Sequence, residues 1–194
     1  MSRIIAVVGG IGAGKSVVCN VLRAMGYMVY DSDLRARELM NASDSIKAFL
    51  VEGIHPEAVD SRGRINRPKV AEVVFGNEEK RLLLNKAVHG AVRDDFERWC
   101  REHASIPVLF VECAILCESG LCEFVDRVWM VEAPRSVRIE RVCQRNGLTE
   151  HQVSDRIEAQ QNEDKAVRSL DHDIIANDNV HPILPRIEEL LGVE

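Results

Sequence analysis

The clearest chemistry in this 194-residue chain lies in one run, Gly9-Gly10-Ile11-Gly12-Ala13-Gly14-Lys15-Ser16. It matches G-x-x-x-x-G-K-[ST]. Glycines let the backbone turn and approach a ligand where a side chain would intrude. The freed N–H groups then converge on phosphate oxygens at a helix N-terminus, where the helix dipole favours anions. Lys15 adds a point charge toward the β- and γ-phosphates, and Ser16 offers a hydroxyl to Mg²⁺. The plain alternative is a chance glycine-rich turn. The flanks argue against it. An apolar, β-branched stretch precedes the loop, and Val17, Val18, Val21, Leu22 and Met25 follow with helical spacing.

Several acids and arginines have types and positions that suit the same chemistry. Asp31-Ser32-Asp33 closes a second apolar run. A carboxylate at the C-terminal edge of a parallel sheet can take a proton from an attacking hydroxyl or position Mg²⁺. A helix cap needs only one of the two aspartates, which leaves the other to be explained. Glu112 ends the apolar run Phe110-Val111-Glu112, and two readings stand for it: a metal-side carboxylate, or an ion-pair partner of a nearby Arg or Lys. Arg135, Arg138, Arg141 and Arg145 recur at spacings that share one helical stripe, with Glu140 opposite. Such a row suits phosphate or the spreading charge of a phosphoryl-transfer transition state. The competing reading is a solvated helix face. His89, beside Gly90, reads first as a packing residue. Cys19, Cys100, Cys113, Cys117, Cys122 and Cys143 contain no CxxC pair and read as reduced thiols rather than as a zinc site.

These residues need elements to hold them. Strands are expected at Arg3–Gly9, Met28–Asp31, Val108–Cys113, Arg127–Glu132 and Asp173–Asn177, mostly as continuous apolar runs of the kind a doubly covered parallel sheet buries. Helical patterns lie between them. A short one spans Leu34–Met40. A long one spans Glu78–His103, with Leu82, Leu83, Ala87, Val88, Val92, Phe96 and Trp99 along one side. Pro134 suits the start and Gly147 the stop of another. Thr149-Glu150-His151-Gln152 has capping-box spacing, and Pro182–Leu191 closes the chain. Trp99 and Trp129 read as core. The fold class is α/β: a five-stranded parallel sheet flanked by helices. The crossover between the second and third strands is far longer than a parallel connection needs, which implies an inserted helical region. One domain over 1–194 is expected, with core segments near 1–40, 105–137 and 171–194, an insertion near 41–104 and a second helical excursion near 138–170.

Composition sets the outer bounds. Lys and Arg total 25 against 31 Asp and Glu, a net charge of −6, so a general nucleic-acid or anionic-membrane binder is not expected. No apolar run is long enough to span a bilayer. The expected setting is cytoplasmic, and the expected assembly a monomer or small homo-oligomer.

Taken together, these motifs resemble the dephospho-CoA kinase family along nearly the whole chain. The resemblance rests on Val8–Ser16, Asp31-Ser32-Asp33 with Ala36-Arg37-Glu38-Leu39, Gly63-Arg64-Ile65-Asn66-Arg67 through Val74-Phe75, and Glu118-Ser119-Gly120-Leu121. Arg141, Gln144-Arg145, Gln161 and Asn177 complete it. The sequence departs from the family pattern at His89-Gly90 (His-Pro), Ala114–Glu118 (Pro-Leu-Leu-Phe-Glu) and Asn177-Asp178-Asn179 (Asn-x-Gly).

The resemblance implies a P-loop kinase fold with a substrate-binding helical insertion and a helical lid. It implies ATP, Mg²⁺ and transfer of a phosphoryl group to the 3′-hydroxyl of dephospho-CoA. By this resemblance Gly10, Ile11, Gly12, Ala13, Gly14, Lys15, Ser16, Val17, Arg145 and Asn177 hold ATP. Ser16 holds Mg²⁺, with Glu112 left open. Asp33 is the general base, and Lys15 and Arg141 steady the transferred group. Asp33, Arg67, His89, Glu118 and Gln161 meet the acceptor. The rival readings are another small-acceptor kinase (nucleoside, nucleotide or shikimate-like) and a nucleotide-binding regulator without transfer.

Overall fold

The computed structural model describes residues 2–192; Met1, Val193 and Glu194, the ends of the expected 1–194 domain, lie outside it. Five strands form one parallel sheet: β1 (Arg3–Val8), β2 (Met28–Asp31), β3 (Val108–Glu112), β4 (Arg127–Glu132) and β5 (His172–Ala176), in the order β2-β3-β1-β4-β5. Register pairs Val7 with Glu112 and Trp129, and Asp31 with Glu112. β1, β3 and β4 are central and their interiors are buried, as their unbroken apolar runs require. β2 and β4 match the expected bounds, and β1, β3 and β5 differ by one residue. β1 stops at Val8 because Gly9, at φ +150°, has already turned into the loop.

Helices α1 (Lys15–Ala24) and α9 (Ile183–Leu191) contribute to the core on this sheet. That core centres on Phe110, whose ring lies 5.4 Å from Tyr27 and 5.1 Å from fully buried Trp129. Helix α6 (Arg135–Asn146) follows Pro134 and ends at Gly147, which takes the left-handed conformation at φ +65°. Helix α7 (Glu150–Ala159) opens with the expected reciprocal cap. Thr149 Oγ1 accepts from Gln152 N at 3.3 Å, and Gln152 Oε1 accepts from Thr149 N at 3.0 Å. Helix α8 (Gln161–Arg168) follows directly. Val142, Val153 and Ile157 make a small apolar cluster with Ile11 packed against it.

Residues 32–102 form a separate compact unit of helices: α2 (Ser32–Ala42), α3 (Asp44–Phe49), α4 (Arg67–Phe75) and α5 (Glu78–Glu102). It begins at Ser32 rather than near 41. The reason is an unanticipated ion pair. Arg35 of α2 grips buried Asp95 of α5 with Nε and Nη2, both at 2.8 Å, and so binds α2 into the helical unit. Ile46, Leu50, Ile54, Ala58, Val70 and Leu84 form its core. The apolar side of α5 also needs correcting. Leu84, Val92 and Phe96 are buried, whereas Leu82 and Leu83 are exposed, 56% and 42%. Steps of four from Leu84 keep one face inward, and positions 82 and 83 fall off it. Trp99 is half-buried and stacks on Phe96 at 6.0 Å.

Candidate active site

The carboxyl ends of the strands converge on one edge of the sheet, where open α/β folds bind ligands. β1 runs into the loop 9–16, β2 ends at Asp31, β3 at Glu112 and β4 at Glu132, and Asn177 follows β5. Gly14 caps α1 in the left-handed region at φ +99°. A Cβ there would lie 1.9 Å from Asn177 Nδ2, so both the dihedral and the space demand glycine. Lys15 folds back along the loop, and its Nζ donates to the Gly9 carbonyl at 2.8 Å. Ser16 and Val17 are exposed at the start of α1.

The loop is held by residues far along the chain. Asn177 Nδ2 donates to the Ala13 carbonyl at 2.9 Å, and Asn177 N donates to the Glu132 carbonyl at 2.7 Å. Arg141 reaches the Gly12 and Ala13 carbonyls at 3.4 and 3.5 Å and also bonds Asn177 Oδ1 and Asn179 Oδ1. Asn179 has φ +69°. Asn tolerates that conformation better than most residues, so replacing the family glycine here keeps the turn.

Two further holders are Arg138, one of the four arginines on the stripe, and Gln160. Arg138 Nε donates to the Ile11 carbonyl at 2.9 Å, and Gln160 Oε1 accepts from Ile11 N at 2.7 Å. Its neighbour Gln161, which the family resemblance assigns to the acceptor, is exposed on the first turn of α8. Two adjacent glutamines give no local signal of which one turns inward. The arginine stripe divides. Arg138 and Arg141 turn to the loop, Arg135 pairs with Glu158 of α7 at 3.1 Å, and Arg145 is exposed and bonds its neighbour Asn146.

Glu112 sits in a compact electrostatic cluster. Burial, and then the Asp31 carboxylate beside it, push its pKa above the usual glutamate range; the Cys19 thiol, Lys15 and Arg23 offset this. Arg23 Nη2 lies 3.7 Å from Glu112 Oε2, so the ion-pair reading has a partner at long range. The same burial and neighbouring charge push the Cys19 thiol far above its ordinary value, so it stays protonated and donates to Glu112. Among the described residues no group of three His, Cys, Asp or Glu side chains is arranged to hold a metal. Mg²⁺ held mostly by phosphate oxygens and water needs no such cage. The hard oxygens of Ser16 and Glu112, with Asp31 in register beside it, fit that ion.

The other expected residues stand as follows. Asp33 is exposed in the first turn of α2. Arg67 begins α4 and donates from Nη2 to Asn41 Oδ1 at 3.1 Å. His89 is half-buried on α5. Glu118 is exposed, and its N–H, with that of Cys117, is chelated by the Glu163 carboxylate of α8 at 3.0 and 2.7 Å. The cysteines form no disulfide, with Cys19 and Cys113 buried and the others half-buried.

A phosphate loop between β1 and α1, under the strand order 2-3-1-4-5, defines a P-loop kinase fold. The family model described as dephospho-CoA kinase matches residues 3–182. The chain belongs to the dephospho-CoA kinase family. It is 33% identical over 192 residues to a Staphylococcus saprophyticus protein named dephospho-CoA kinase, covering 98% of this chain and 93% of that one. It is 36% identical over 182 residues to the protein so named in Bacillus thuringiensis, covering 92% and 90%. Among solved structures, TT1252 from Thermus thermophilus superposes with a TM-score of 0.75 at 32% identity, covering 98% of this chain and 95% of that one.

Proposed function

We propose that this chain transfers the γ-phosphoryl group of ATP to the 3′-hydroxyl of dephospho-CoA, completing coenzyme A. Family membership across residues 3–182 supports the acceptor, and one structural observation carries the chemistry: the loop 9–16, anchored by Arg138, Arg141, Gln160 and Asn177. Loop carbonyls accept the bonds from Arg138, Arg141 and Asn177, and Gln160 takes only the Ile11 N–H, which leaves other loop N–H groups to cradle phosphate. Lys15 exchanges the Gly9 carbonyl for a phosphate oxygen. Asp33 accepts the proton of the attacking hydroxyl. Arg141 stabilises charge on the phosphoryl oxygens, and Arg145 joins it as the excursion 138–170 closes and excludes water. Ser16 and Glu112 would hold Mg²⁺, which would supply positive charge against the phosphate oxygens. Arg67, His89, Glu118 and Gln161 are assigned to the acceptor side.

The test is ADP release by the purified chain with dephospho-CoA, AMP, nucleosides, shikimate or no acceptor. Release that depends on dephospho-CoA is expected. Release driven by another acceptor overturns the substrate, and ATP binding without acceptor-dependent release makes the chain a regulator. No helix among the described residues is long and apolar enough to cross a membrane. We assign the chain to the cytoplasm, as a monomer or small homo-oligomer.

A further inference from the structure

Arg138 differs from every other arginine of α6. Its Nε bonds the Ile11 carbonyl, but its Nη2 is buried and finds no hydrogen-bond partner among the described residues. Asp164 attracts it from beyond bonding distance, and Arg135 repels it. The other arginines of this region are satisfied: Arg135 by Glu158, Arg168 by Glu132, Arg141 by Asn177 and Asn179. The half-buried guanidinium keeps its proton, so a positive charge remains that no carboxylate meets at ion-pair distance among the described residues. Its place is specific. A Cβ on Gly10 would meet the Arg138 Nη2, so a larger residue at position 10 would have to displace the guanidinium. The guanidinium thus lies directly against Gly10 and the Ile11 carbonyl of the loop. Packing alone does not explain it: a leucine or methionine would fill the site without the cost of burying a charge.

We propose that Arg138 is a positioning residue of the phosphate loop whose charge, without a direct ion-pair partner, also sets its preference for a nucleoside triphosphate over a diphosphate. The hydrogen bond holds the Ile11 peptide, and the charge raises the positive potential inside the loop without touching the ligand. A triphosphate carries one more negative charge than a diphosphate and gains more from that potential, since the low-dielectric wall screens it weakly. This inference rests on the reading of the loop as the ATP site.

The test uses the full chain and calorimetric titration with ATP and with ADP at low and high salt. Arg138→Gln keeps an N–H donor for the Ile11 carbonyl and removes the charge. ATP affinity is expected to fall about tenfold and ADP affinity about threefold, both losses shrinking with added salt. Arg138→Lys, which keeps the charge, restores most of the ATP-to-ADP ratio. A purely structural role would weaken both nucleotides equally and leave the salt dependence unchanged. A ratio in Arg138→Gln within twofold of the parent overturns the proposal. If that variant melts before the titration, Arg138→Lys and Arg138→Met are compared in its place, and an equal ratio in those two overturns it. A parent chain that binds neither nucleotide removes the ATP reading and this inference together; normal parental binding with an unchanged ratio removes this inference alone.

Discussion

Asp33 is the residue on which the transfer step depends in the proposed mechanism. A positioned base contributes about 10²–10⁴-fold in rate. Asp33→Ala is expected to lower acceptor-dependent turnover by that order while the Kd for ATP stays unchanged; retained turnover would remove Asp33 from the role. Gln160 offers a sharper contrast with its neighbour. Its Oε1 holds Ile11 N at 2.7 Å, whereas Gln161 is exposed. Gln160→Ala should raise the KM for ATP several-fold, and Gln161→Ala should leave it alone, measured in the same steady-state assay. The loop itself was legible from its spacing. Asn177 was legible only through family resemblance, and Arg138 only as one of four arginines on a stripe. Which arginines turn inward depends on Glu158 capturing Arg135, a contact between helices that spacing on one helix does not encode.

At the scale of elements, helix α5 carries Gly90 mid-length, and a Cβ there meets nothing within 4 Å. Gly90→Ala is expected to raise stability by about 0.5–1 kcal/mol through reduced unfolded-state entropy, read as a higher denaturation midpoint. Asp95 is the opposite case. Removing it leaves the Arg35 guanidinium only Glu38 as a partner, and Asp95→Ala should cost about 2–3 kcal/mol, at the low end for such pairs because Arg35 stays partly exposed and keeps that second carboxylate. Strands β4 and β5 are clipped by Arg127, whose Nε and Nη2 grip Asp173 at 2.7 and 2.9 Å. That pairing holds the Asp173 carboxyl below the usual aspartate value of 3.8. A carboxylate whose pKa is lowered by folding adds stability above its ordinary pKa and loses it as pH falls through the folded value. Asp173→Asn should therefore lower Tm at neutral pH, and the difference should fade in acid below 3.8; an equal difference at both pH values would show that packing, not charge, is at stake. The five strands and the helices with clear apolar periods or caps could be read in advance; α3, α4 and the break between α7 and α8 could not. The inward face of α5 and the true start of the helical unit could not, because partners distant in the chain select them.

For the whole molecule, ligand binding and stability are linked. ATP at a hundred times its Kd should stabilise the fold by about 2.7 kcal/mol. For a chain of this size that is a rise in Tm of roughly 5–10 °C. The rise should shrink sharply in Lys15→Ala, which removes the charge now resting on the Gly9 carbonyl. A scanning melt with and without ATP checks it; an undiminished shift in Lys15→Ala would place the nucleotide elsewhere. The net charge of −6 conceals the local field that this binding uses. Lys15, Arg138 and Arg141 all gather on one loop at the sheet edge.

The sequence by itself determined the phosphate loop, the five strands and the caps of α6 and α7. Each is a local pattern whose dihedrals, hydrogen bonds or apolar period act over a few residues. Tertiary structure alone decided that Gln160 rather than Gln161 meets Ile11, that Arg138 rather than Arg145 turns to the loop, and that Asp31 stands beside Glu112. Those choices depend on contacts between residues dozens of positions apart. Strand register and helix packing create such contacts only once the chain has folded.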